Sequence, residues 1–181
     1  MENLDIQKKL DGLDIIKYVD IDSIDNQKYE ITSYKEKTVS ELSSRARRVL
    51  KKDYIIYSTV RPYLCNIAII KEEYPNYIGS TGFNVFKTLL VKKEYVFYFL
   101  LSNYIIKLYS DMMQGFNSPS INNKQFENTF IPLPPLKEQE EIVAKVENLL
   151  AKVTELENQI QERKTLSEKL AFGIIKEKLE G

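Results

Sequence analysis

The sequence predicts an α/β domain of mixed α+β type, followed by one long C-terminal helix of coiled-coil character. Three observations carry this. Short β-branched and aromatic runs recur through the first 133 residues with few helical stretches between them. Two adjacent prolines, Pro134 and Pro135, then interrupt any regular element. Beyond them the chain holds no further proline and carries a seven-residue apolar repeat. The expected domains are therefore residues 1–133 and residues 134–181.

Within the first domain, residues 15–24 alternate apolar and polar side chains from Tyr18 onward, which predicts a strand, and Asp25-Asn26 supplies a turn. Residues 35–52 are polar and basic, with Ser40, Ser43 and Ser44 as candidate helix caps. Residues 54–57 and 67–70 read as buried strands, connected through Arg61-Pro62-Tyr63. Gly79-Ser80-Thr81-Gly82 reads as a tight loop leading into a strand over residues 83–88. Dense apolar groups over residues 91–113 predict one long core helix. Residues 114–123 form a loop by composition, residues 124–128 a short helical turn, and residues 129–133 a strand.

Pro135 suits a first helical position, where a missing N–H is no loss. Glu138, Glu140 and Glu141 then meet the positive end of the helix dipole, and Lys176 and Lys178 the negative end. Ile142, Val146, Leu149, Val153, Leu156 and Ile160 follow at alternating steps of four and three. Arg163 and Ser167 interrupt this stripe, and Leu170 and Ile174 resume it. A helix of about forty residues is roughly 60 Å long. That is more apolar seam than the preceding domain could cover, so these eight residues are expected to meet a partner helix.

The chain carries 26 basic and 26 acidic side chains, yet residues 35–71 alone hold 9 basic against 3 acidic. The single Cys65 excludes an internal disulfide and fits a reducing compartment. Residues 1–11 are charged throughout, unlike a signal peptide. The most apolar run, residues 95–109, contains Lys107 and is shorter than the ~20 residues a membrane span needs. A soluble cytoplasmic protein, with no membrane partner, is the expectation.

Much chemistry is excluded. Without histidine, the commonest general base and metal ligand is missing, and one cysteine makes no thiolate zinc cluster. Neither a phosphate-binding glycine loop nor a dinucleotide fingerprint occurs. The only Pro-Pro has no Asn or Asp before it, as an adenine methyltransferase would need. Glu162 and Lys164, spaced like part of a metal-dependent nuclease site, lie on the long helix as a solvated charge pair. No catalytic residue, metal or resident cofactor is expected.

The positive signal is the basic segment: Lys35, Lys37, Arg45, Arg47, Arg48, Lys51, Lys52 and Arg61, with Tyr54, Tyr57 and Tyr63 interleaved. Such side chains on one face neutralise phosphates, and arginine also reads guanine edges in the major groove. The competing reading is a solvated basic face. The loop residues Gln114, Asn117, Ser118, Ser120, Asn122 and Lys124 bring amides, hydroxyls and a cation that suit base edges, as do Ser80, Thr81 and Asn84. An ordinary surface loop and turn have the same composition.

Ser44-Arg45-Ala46-Arg47, residues 53–64 (Asp-Tyr-Ile-Ile-Tyr-Ser-Thr-Val-Arg-Pro-Tyr-Leu), Ser80-Thr81-Gly82-Phe83 and residues 131–136 with Glu138-Gln139 together resemble one family. It is that of type I restriction–modification specificity subunits, in which a proline-rich sequence ends a target-recognition domain and begins a spacer helix. The resemblance runs from about residue 15 to the end. Full members carry two such domains and two antiparallel spacer helices. One of each is recognised here, which implies a half-subunit that restores the pseudo-two-fold arrangement as a homodimer.

The resemblance implies sequence-specific reading of double-stranded DNA without catalysis, at a bipartite inverted repeat. It implies docking of methyltransferase modification subunits, which bind S-adenosylmethionine, and of a restriction translocase subunit. Pro134, Pro135 and Gln139 would shape the junction between domain and helix. Two further readings fit the residues: a coiled-coil scaffold whose head binds protein, and a recognition fragment that serves a different methyltransferase–nuclease.

Overall fold

The computed structural model describes the backbone of residues 15–180, and the side chains of all of these except residues 173, 174 and 176–180. The charged stretch at residues 1–11 and the side chains of Ile174, Lys176 and Lys178 thus lie outside the described residues. The chain divides into two compact units, one ending at Leu136 and the other beginning at Lys137.

Among the described residues of the first unit there are nine strands: β1 (Ile16–Val19), β2 (Ile24–Asp25), β3 (Glu30–Ile31), β4 (Lys35–Lys37), β5 (Ala46–Val49), β6 (Ile55–Ser58), β7 (Ile67–Ile69), β8 (Tyr77–Ser80) and β9 (Phe83–Phe86). A four-stranded sheet runs β4-β1-β8-β5, in which β1 and β8 are parallel and the outer pairings antiparallel. A three-stranded antiparallel sheet runs β7-β6-β9, and β2 and β3 form a small ribbon.

Period-two alternation assigns each strand residue to a layer. Val19 and Tyr77 from the first sheet, Leu50 just past β5, and Ile56, Ala68, Phe83 and Val85 from the second sheet form one buried cluster that joins the sheets. Ile16, Tyr18, Ala46 and Ile78 form a smaller cluster closed by Val39 and Leu42. On the other face of the three-stranded sheet Tyr57 meets Tyr109 edge-on at 5.7 Å and Phe126 at 5.3 Å, while Phe86 meets Phe126 at 5.5 Å. Helix α1 (Lys93–Leu100) packs Phe97 against Tyr29, while Tyr109 lies on α2 (Asn103–Met112) and Phe126 on α3 (Asn123–Glu127).

Several expectations are corrected here. The apolar run over residues 91–113 makes two helices, because the Ser102 hydroxyl accepts from the Ile105 N–H and starts a new one. Residues 129–133 form no strand: Pro132 lacks a donor, and its carbonyl accepts the Tyr95 hydroxyl at 2.9 Å. The strand expected over residues 15–24 ends at Val19, where Asp20 and Ser23 cap a turn of 3₁₀ helix. Thr38, rather than Ser40, Ser43 or Ser44, caps the turn Val39–Glu41, in a reciprocal box with Glu41. Gly79 and Ser80 belong to β8, which leaves Thr81-Gly82 as the turn into β9, and β9 ends at Phe86 rather than residue 88.

All but the first residue of α4 (Leu136–Glu180) lies in the second unit; the helix has 45 residues and is therefore roughly 68 Å long. It begins one residue after Pro135, so that proline precedes the first turn rather than occupying it. Ile142, Leu149, Val153, Leu156, Ile160 and Leu170 are all exposed, by 37% to 66%, and Val146 is half-buried. No helix of the described residues is long and apolar enough to cross a membrane.

Candidate nucleic-acid interface

The site is organised by Arg61. Its backbone lies in the left-handed region at φ +48°, which costs a side-chain-bearing residue roughly 1–2 kcal/mol. The conformation is held from both sides. Arg61 N donates to Pro119 O at 2.8 Å, and the guanidinium Nη2 donates to Asn117 O at 3.2 Å. Val60 bridges Ser120, Ile121 N donates to Thr59 O at 3.0 Å, and Gln114 and Ser120 exchange both backbone hydrogen bonds. The polar loop is thereby stitched, as an extra strand segment, to the residues around Arg61. Its far turn needs Gly115, at φ +101°.

A second stitch fixes Arg45. Its carbonyl accepts the Thr81 N–H at 2.7 Å, and the Ser80 hydroxyl accepts the Gly82 N–H at 3.2 Å to close the turn. The two stitches open onto one cleft of about 550 Å³. Arg45, Arg61, Ser80 and Ser118 line it, together with Asp20, Asp22, Asn26 and Asn66. Arg45 and Arg61 are exposed, whereas Ser80 is buried at the cleft wall. Four residues named from sequence are thus brought together, and Thr81 and Asn117 are bonded directly to two of them.

Lys35 borders this region through its ion pair with Asp20 at 2.5 Å. Hydrogen bonding to Asp20, and then its charge, holds the ammonium above the ordinary lysine value. Lys37 is half-buried, with its ammonium 5.8 Å from the Tyr18 ring. Tyr63 sits exposed in the 3₁₀ turn Pro62–Leu64, just after Arg61.

Other candidates lie elsewhere, for local reasons. The basic residues do not share one face. A bulge between Ala46 and Arg48 in β5 leaves Arg47 exposed and turns Arg48 inward, where only 5% of it stays exposed. Burial pulls the Arg48 guanidinium below its ordinary value, opposed by the nearby Glu127 carboxylate. Arg48 and Lys51 line a separate cavity of about 280 Å³ with Tyr54, Phe86 and Lys87.

Asn84 is fully buried on the helix-facing side of β9, paired in register with Tyr57, because alternation turns it away from the face of Phe83 and Val85. Its amide O and N and the Tyr57 hydroxyl make no hydrogen bond among the described residues. Burial holds the Tyr57 phenol far above its ordinary value. Asn122 caps α3, its side chain accepting the Gln125 N–H at 2.9 Å. With Lys124 it lines an apolar groove of about 910 Å³ beside Tyr104, Leu108 and Met112.

Sequence reasoning missed Asp20, Asp22, Asn26 and Asn66. The signal for the two aspartates was present as Asp-Ile-Asp, but its alternation read as the polar face of a continuing strand. Also missed was Phe116, fully exposed beside Gly115 at the loop tip. No group of three or more His, Cys, Asp or Glu is placed to hold a metal among the described residues.

Comparison with known proteins sets this geometry in a family. The model of the type I restriction modification DNA specificity domain matches residues 5–163. Over 107 residues the chain is 32% identical to the type I restriction enzyme EcoDI specificity subunit of Escherichia coli, covering 59% of this chain and 23% of that one. Over 131 residues it is 30% identical to the MjaVIII specificity subunit of Methanocaldococcus jannaschii, covering 68% of this chain and 31% of that one. The chain thus spans 23% to 31% of these relatives' length. A chain solved within work on assembly and conformational transition of the type I R-M system superposes with a TM-score of 0.79 at 37% identity, covering 93% of this chain and 44% of that one. The HsdS subunit from Thermoanaerobacter tengcongensis gives 0.74 at 38%, covering 86% and 40%.

Proposed function

The chain belongs to the family of type I restriction modification DNA specificity domains, and we propose that it reads DNA as the non-catalytic specificity component of such a system. One observation carries the reading. Two separate stitches of backbone hydrogen bonds hold Arg45 and Arg61 in one cleft with Ser80 and Ser118. Arginines whose backbones are held this way suit bidentate contacts to guanine O6 and N7, while Arg47 and Lys35 at the rim suit phosphates.

The exposed seam of α4 supports the second part of the proposal: two copies pair through Ile142, Val146, Leu149, Val153, Leu156, Ile160, Leu170 and Ile174. An apolar stripe of this length in water is stable only when covered. A two-fold pair presents two identical clefts and therefore reads an inverted repeat with a fixed gap. Arg163 and Ser167, where the seam turns polar, set the register of the pairing. The same helices dock methyltransferase modification subunits and a restriction translocase subunit, and the assembly works in the cytoplasm.

In vitro selection from a random duplex pool tests the reading. An enriched inverted repeat of one half-site at fixed spacing is the expected outcome, with binding that weakens steeply as salt rises. Binding without sequence preference or salt dependence would instead favour a protein-binding scaffold.

A further inference from the structure

The cleft that holds the two arginines also holds a solvent-facing carboxylate that no protein group engages among the described residues. Asp20 is engaged: it caps the turn Ile21–Ser23, receives the Ser23 hydroxyl at 3.2 Å and pairs with Lys35. Asp22, one step along the same turn, is exposed, lines the cleft, and makes no hydrogen bond or ion pair among the described residues. The nearby Lys35 ammonium feels its charge, yet bonds to Asp20.

A cleft built only to grip phosphates would exclude such a group, since like charge repels the backbone. The major-groove edges of the bases behave differently. Guanine offers two acceptors to an arginine, and cytosine and adenine each offer an exocyclic amine to a carboxylate. Donors and a free acceptor in one cavity match a base pair, above all G·C, whose groove edge carries both kinds of group.

Resting on the reading of the chain as a DNA-recognition subunit, we propose that Asp22 is a specificity-determining residue. Its carboxylate accepts a hydrogen bond from the exocyclic amine of a base in the half-site, while repelling misplaced backbone. It therefore selects at one base-pair position and lowers affinity for unrelated DNA. Asp22 is surface-exposed in a turn capped by its neighbours, so replacing it leaves the fold intact.

The test uses the full chain and duplexes carrying every single base-pair change across the selected half-site. For the natural protein, one position prefers cytosine or adenine over the other bases by roughly 10- to 100-fold. In Asp22→Asn and Asp22→Ala that preference shrinks at that position alone, and binding to unrelated duplex tightens. An N4-methylcytosine or N6-methyladenine duplex at the position identifies which amine is read. Unchanged preferences at every position in both variants, or a uniform loss across all duplexes, would overturn the proposal and leave DNA reading standing. A natural protein with no preference for any duplex would overturn both.

Discussion

The two units treat apolar side chains in opposite ways. In the first, Ile16, Ile55, Ile56, Ile67 and Phe83 are fully buried between and around two sheets. In α4, Leu149, Leu156 and Ile160 stand more than half exposed at heptad spacing. Composition does not separate them, since both use the same aliphatic residues. Geometry does: each sheet of the first unit is covered by a second layer of the same unit, whereas the apolar residues of a 45-residue helix stand exposed at heptad spacing. The first unit buries its apolar side chains among its own layers, and the second leaves most of its seam exposed.

The sharpest way to break this contrast is to charge the seam. Leu149→Asp combined with Leu156→Asp should weaken self-association by roughly 4 kcal/mol, about a thousandfold, in sedimentation equilibrium. The thermal transition of the first unit should persist. Association that survives both changes would remove the seam from the interface.

Next comes the converse change in the sheet unit. Tyr57→Ala should cost about 3–5 kcal/mol in denaturant unfolding, because the residue is packed between Tyr109 and Phe126. Tyr57→Phe should hold or raise stability, since the hydroxyl it removes is buried without a partner among the described residues. Self-association should stay unchanged in Tyr57→Phe.

Arg61→Ala should weaken binding to the selected duplex by about 1–3 kcal/mol in titrations at fixed salt and relax one base position. Arg48→Met, buried behind the bulge in β5, should leave base preference untouched and act on stability alone.

How much of this was legible follows from which interactions are local. The helix and its seam were readable because a heptad repeat is written directly along the chain. The strands β6 and β7 were readable as β-branched runs, and the connection through Arg61-Pro62-Tyr63 from its position between them. The split of α1 from α2 hung on one cap, Ser102, inside an apolar run whose periodicity hardly changes. The inward turn of Arg48 hung on a bulge, which is a property of the pairing with β8 and has no sequence pattern of its own. The cleft itself joins residues from positions 20, 45, 61, 80 and 118, and only long-range pairing brings such distant segments together.

A smaller effect separates a cap from a contact. Asn122→Ala should cost about 1 kcal/mol of stability through loss of the α3 cap and leave DNA titrations unchanged. The smallest concerns pH. Backbone N–H groups of Lys28 and Gln27 hold Asp25 below its ordinary value of 3.8. Its contribution is present above the unfolded carboxylate pKa and fades as pH falls through the folded one, so Asp25→Asn should flatten the acid limb of stability against pH.

The most direct test is native mass spectrometry of the chain bound to its selected duplex. Two copies of the 21.2 kDa chain on one inverted-repeat duplex is the predicted result, falling to one copy when a half-site is scrambled and the seam is charged. One copy on the intact duplex, with a monomer as the free species, would contradict the two-fold reader and assign the seam of α4 to a different helix.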